Sequence, residues 1–224
     1  MSNREGDLIG RAPYVGLLVA LLLVFVGTPF MPFGLVGVAT LDLFLLAAFV
    51  AAIFSCTDVA WHRAVALLLG TTTWLGRAAG ALTASDPLLT SYPLLGFLFL
   101  SYVTILLGRG IFQHEGEVSG EILCGSISIY LLLGLVWAFA YAVLERFEPG
   151  SVRGSAESLL DLQQLLAFSF VTLTTLGYGD VVPVTLRARV LASAEAIAGQ
   201  LYLAVLVARL VGLHLAQRVN AKPE

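Results

Sequence analysis

The chain is predicted to be an all-α integral membrane protein with six transmembrane helices and a shorter re-entrant helix between the fifth and the sixth. Three observations carry this. Of 224 residues, 58% are hydrophobic and 12% charged, with a mean hydropathy of +0.92, which is too little polar surface to cover a soluble globule of this size. Apolar stretches approaching the roughly twenty residues a span needs recur along the whole length. Between the last two lies Thr172 to Asp180, reading Thr-Leu-Thr-Thr-Leu-Gly-Tyr-Gly-Asp, in which two glycines alternate with bulky residues.

The predicted spans run Ala12 to Gly27, Leu35 to Cys56, His62 to Ala84, Pro93 to Gly108, Glu121 to Leu144 and Arg189 to Leu215. The first is expected to remain uncleaved. Arg4 and Arg11 precede it but so do Glu5 and Asp7, and no small-x-small cleavage site follows. Leu162 to Thr174 is too short to cross a bilayer and fits a re-entrant helix, with Asp161 standing where an N-cap belongs. The alternative for Asp161 is a loop carboxylate in a polar turn. Cys56 and Cys124 are isolated and fit packing better than a disulfide or a metal site.

The motif makes sense for a strand that dehydrates a cation. Successive backbone carbonyls can be aimed at one axis, replacing the water shell of a bare ion, if residues alternate between right- and left-handed backbone conformations. Glycine enters the left-handed region without steric cost. Gly177 and Gly179 supply the alternation, Leu176 and Tyr178 keep ordinary geometry, and Thr175 adds a hydroxyl at the inner end. One such strand cannot surround an ion, so four copies are expected to form a homotetramer around a central pore.

From Ile122 to Gln217 the chain resembles the potassium channel pore module. The resemblance rests on Thr175-Leu176-Gly177-Tyr178-Gly179-Asp180, on Pro183-Val184-Thr185-Leu186 and Arg189, and on Gly199, twenty residues after Gly179. It implies a selectivity filter in which Thr175, Leu176, Gly177 and Tyr178 coordinate potassium, the permeant ion, with Gly179 and Asp180 supporting it. It also implies a cavity lined by Gln200, Leu203, Val207 and Val211, which share one helical stripe. Gly199 falls where the family often places a gating hinge; close helix packing is the equal alternative. Family members often have a tryptophan eight residues before the filter threonine, bonded to the aspartate after the last filter glycine. Here Ala167 takes that place, with Phe168 beside it, so Asp180 lacks its usual donor. Glu195 is an ionisable group at membrane depth, a functional position by default, or a structural hydrogen-bonding one.

The resemblance divides the chain into a four-span N-terminal membrane domain (1–108), a Glu- and Gly-rich linker (109–120), a pore domain (121–217) and a short tail (218–224). Six spans with the pore last resemble a voltage-gated channel in plan. A voltage sensor needs several Arg or Lys at intervals of three, each moved charge being worth about 2.3 kcal/mol per 100 mV. Between Ala78 and Gly108 there is no Lys, Arg or His, so no classical voltage gating is expected. Asp42 and Arg77 sit at matching depth on adjacent predicted spans, about 10 Å in at 1.5 Å per residue. They form a candidate intramembrane ion pair, unless each snorkels separately to an interface.

In pore modules of this kind the re-entrant loop enters from outside, which puts both termini of this multi-pass chain on the cytoplasmic side of a plasma (inner) membrane. The Lys and Arg distribution agrees: Arg4, Arg11, Arg63, Arg109, Arg209, Arg218 and Lys222 fall inside, against Arg146, Arg153, Arg187 and Arg189 outside. The nine residues after Leu215 are too few for a soluble ligand domain. No basic stripe points to nucleic acid, so the expected partners are lipid and further copies of the chain. No phosphate-cradling loop or paired-carboxylate motif supports an enzyme. The competing expectation is a non-conducting membrane scaffold or regulatory subunit that keeps the same fold. A transporter built from four degenerate filter copies on one chain is disfavoured, because a single complete copy is present.

Overall fold

The computed structural model describes residues 12–27, 43, 45–48, 50–52, 60–83, 86–113, 119–154 and 160–220, and within the helices the side chains at 12–13, 77–78, 80–83, 86–90 and 214–220 fall outside that description. The helices are α1 (Ala12–Gly27), α2 (Ala60–Thr83), α3 (Asp86–Phe112), α4 (Gly120–Phe147), α5 (Leu162–Leu173) and α6 (Leu186–Asn220). In the second predicted span, the described residues between 43 and 52 are helical. Among the described residues, three segments are long and apolar enough to cross a membrane: Ser91–Phe112, Gly120–Phe147 and Leu186–Leu213. Asp42, together with the side chain of Arg77, lies outside the described residues.

The observed ends differ from the expected ones in an instructive direction. Helix α3 continues through Arg109 to Phe112, so the first residues of the expected linker are helical. A cation in the last turn interacts favourably with the carbonyl end of the helix. Helix α3 also begins well before Pro93 and carries that proline inside it. Helix α6 starts at Leu186, where the Thr185 hydroxyl accepts from Ala188 N at 3.3 Å and caps the first turn.

Two compact units are woven from the chain. One comprises Met1–Leu67, Val103–Leu131 and Leu206–Glu224; the other comprises Leu68–Tyr102 and Leu132–Val205. In the first, Leu17, Leu21 and Val24 of α1 recur at helical spacing and are buried, as are Val103, Leu107 and Ile111 of α3. The Arg209 guanidinium lies 5.1 Å from the ring centre of Phe112, within cation–π range.

The second unit holds the motif. Its core gathers Tyr141 and Ala142 from α4, Val152 from the following turn, Leu165 and Phe168 from α5 and Ala188 from α6. Tyr141 and Phe168 meet edge to face with ring centres 4.9 Å apart. A short antiparallel ribbon pairs Val152–Arg153 (β1) with Val182–Pro183 (β2), in the register Val152 to Pro183 and Arg153 to Val182.

Candidate functional site

Helix α5 delivers the motif, and its start is fixed by a reciprocal cap. Gln164 N donates to Asp161 Oδ1 at 2.8 Å, and Asp161 N donates to Gln164 Oε1 at 3.0 Å, which together make a capping box. Asp161 is therefore the N-cap expected from the sequence. At the other end the helix stops one residue earlier than expected, with Thr174 as its C-cap. Thr175 N donates to Thr172 O at 2.9 Å and Leu176 N to Val171 O at 2.9 Å. These bonds tie the first motif residues to the last turn, whose carbonyl end carries the negative pole of the helix dipole.

From there the backbone alternates. Thr175, Gly177 and Gly179 have φ of 60°, 63° and 81°, so every second residue is left-handed, while Leu176 and Tyr178 are not. The glycines were expected to behave so. Thr175 was not, because a β-branched residue pays about 1–3 kcal/mol for such a conformation. The helix-end bonds flanking it hold it there. Residues 174 to 180 are all exposed in the single chain, including Leu176 at 57% and Tyr178 at 73%. Among the described residues the Asp180 carboxylate has no hydrogen-bond partner. Ala167 is exposed, while Phe168 is buried against Tyr141.

The segment that follows the motif is tied to α4 through Glu145, which the sequence did not single out. Its carboxylate accepts from Gly150 N at 2.9 Å, Ser151 Oγ at 2.5 Å and Val152 N at 2.7 Å. Ser151 O in turn accepts from Val184 N at 2.8 Å, linking the turn after α4 to the segment after the motif. Glu148 adds a 3.8 Å ion pair to the exposed Arg187, a contact of small energetic weight. Glu145→Ala is expected to destabilise the protein by about 2 kcal/mol, because three donors aimed at one carboxylate lose their acceptor together. The thermal transition of the purified protein in detergent measures this; an unchanged midpoint would remove Glu145 from the scaffold.

The end of α5 rests on α6. Gly199 is buried, and a Cβ there would collide with the Leu173 carbonyl oxygen and lie 2.9 Å from Leu173 Cδ1. Gly199 thus lies in close contact with the end of α5. Four residues earlier, Glu195 is fully buried. Tyr141 Oη donates to Glu195 Oε2 at 2.6 Å, and Ser169 Oγ lies 2.6 Å from Glu195 Oε1 and 2.7 Å from Gly134 O. Gln200, Leu203, Val207 and Val211 all lie exposed along α6. The isolated Glu195 could be flagged from sequence, but Tyr141 and Ser169 are 54 and 26 residues away, and no local pattern finds them.

Residues 127–213 match a family model described as "Ion channel", a stretch running from within α4 through α5 and the motif into α6. The match supports an ion-channel pore module in a membrane protein. No solved structure matches the chain.

Proposed function

We propose that the protein is a potassium-selective channel that conducts K⁺ passively through a homotetrameric pore. The carrying observation is the run of alternate left-handed residues, Thr175, Gly177 and Gly179, in an exposed strand at the carbonyl end of α5. Such alternation turns successive carbonyls toward one side, where the oxygens of Thr175, Leu176, Gly177 and Tyr178 replace the hydration shell of a permeant cation. Gly179 and Asp180 support the outer end of this filter.

Fourfold assembly accounts for two features of the single chain. A polar strand with bare carbonyls cannot face lipid, and only 11% of the most apolar window of α6 is buried, against 50% for α4. Four copies around an axis give the filter its ion and α6 its neighbours. In that arrangement Gln200, Leu203, Val207 and Val211 line the cavity below the filter. We place the channel in the plasma (inner) membrane as a six-span protein with cytoplasmic termini and a lipid-facing outer surface. Flux through a pore is a transport role, and no residue is assigned a catalytic one.

Reconstituted in vesicles or a planar bilayer, the protein is expected to show reversal potentials that follow the K⁺ gradient and ignore Na⁺. Equal permeability to both ions would defeat the potassium assignment, and no flux at all would favour a scaffold or regulatory subunit of the same fold. Opening is expected to depend weakly on voltage, since Ala78 to Gly108 contains no Lys, Arg or His. An activation curve requiring about ten or more gating charges per tetramer would contradict this, because Arg77 supplies only one per chain.

A further inference from the structure

Glu195 sits where α4, α5 and α6 converge beneath the filter, and its contacts can be counted in protons. Three short oxygen–oxygen contacts are present: Tyr141 Oη to Glu195 Oε2 at 2.6 Å, Ser169 Oγ to Glu195 Oε1 at 2.6 Å and Ser169 Oγ to Gly134 O at 2.7 Å. Each needs one hydrogen. Tyr141 has one to give and Ser169 has one, whereas a backbone carbonyl has none. The third must come from the carboxyl itself. With Tyr141 donating to Oε2, Ser169 donates to Gly134 O and Glu195 donates from Oε1 to Ser169 Oγ, so every contact is satisfied.

An ionised carboxylate would leave one pair of oxygens pressed together at 2.6–2.7 Å with nothing between them. It would also be a fully buried anion, which is costly at membrane depth unless paired. Among the described residues no Lys, Arg or His pairs with it.

We propose that Glu195 is a protonated clamp, a positioning residue that locks α6 to α5 and α4 and so holds the base of the filter. Its geometry matches its neighbour's. Glu195 meets Ser169, and Gly199, one turn along α6, meets Leu173, one turn along α5. These are two successive rungs of one seam, and the second ends two residues before Thr175. The polar rung fixes the register that lets the small-residue rung close. The link to selectivity rests on the channel function proposed above; the proton count does not.

The test compares Glu195→Gln and Glu195→Ala with the wild-type full-length protein, purified and reconstituted. Glutamine reproduces the pattern of a protonated acid, its amide N–H donating to Ser169 Oγ and its carbonyl accepting from Tyr141. The wild type is expected to show an infrared C=O band of a buried carboxylic acid that disappears in E195Q. E195Q should keep the wild-type thermal midpoint and K⁺ over Na⁺ permeability ratio, while E195A lowers the midpoint and loses selectivity. Absence of that band, or an E195Q protein that fails to assemble, would overturn the protonated clamp, as would E195A with wild-type selectivity and stability. A wild-type protein that passes no ions would refute the channel reading instead, since the infrared and thermal measurements need no current.

Discussion

Gly179→Ala is expected to abolish selective K⁺ conduction while leaving the protein assembled. Gly179 has φ of 81°, and nothing lies within 4 Å of where a Cβ would stand. The new methyl group therefore meets no neighbour, and its whole effect falls on the backbone. An L-residue held left-handed costs about 1–2 kcal/mol, repeated in the proposed tetramer at one level of the pore in all four subunits. The residue can relieve this by leaving the left-handed region, which in the proposed filter swings an adjacent carbonyl away from the axis and removes an oxygen from the ion's shell. Reversal potentials and size-exclusion chromatography separate loss of the filter from loss of the tetramer. An assembled G179A channel that still prefers K⁺ would refute the filter assignment. D-alanine at the same position favours positive φ and is expected to conduct selectively.

The parts of this site that were legible in the sequence are those set by local chemistry. Asp161 and Gln164 are three residues apart and carry the whole cap between them. Gly177 and Gly179 announce their backbone state because few other residues adopt it cheaply. Thr175 hid the same state, because its own propensity opposes it and the hydrogen bonds that overrule it come from the end of α5. The two carboxylates behave alike. Glu145 looks like any acidic residue near a helix end until the turn after it folds back to present three donors. Glu195 was conspicuous alone in an apolar stretch, yet its role depends on Tyr141 and Ser169, which only the packing of three helices brings together. Helices α3, α4 and α6 run a few residues beyond the predicted spans, because a hydropathy pattern marks only the apolar part of a helix.

Gly199→Ala decides between the two roles that the sequence left equal for this residue. As a hinge, Gly199 would tolerate a methyl group in the resting fold, and only the ease of opening would change. As a packing residue it cannot, since the methyl would overlap the Leu173 carbonyl oxygen and crowd Leu173 Cδ1 at 2.9 Å. A carbonyl at a helix end has no rotamer to escape into, so either α6 or the end of α5 must move. Overpacking of this kind costs about 1–3 kcal/mol. The displaced segment also leads directly into Thr175. G199A is therefore expected to lower the thermal midpoint of the proposed tetramer by several degrees and to reduce the K⁺ over Na⁺ permeability ratio in the same preparation. Adding Leu173→Ala removes the side-chain overlap but not the carbonyl one, so it should restore only part of the loss. A G199A tetramer with wild-type stability and selectivity and an altered open probability would return the residue to the hinge role.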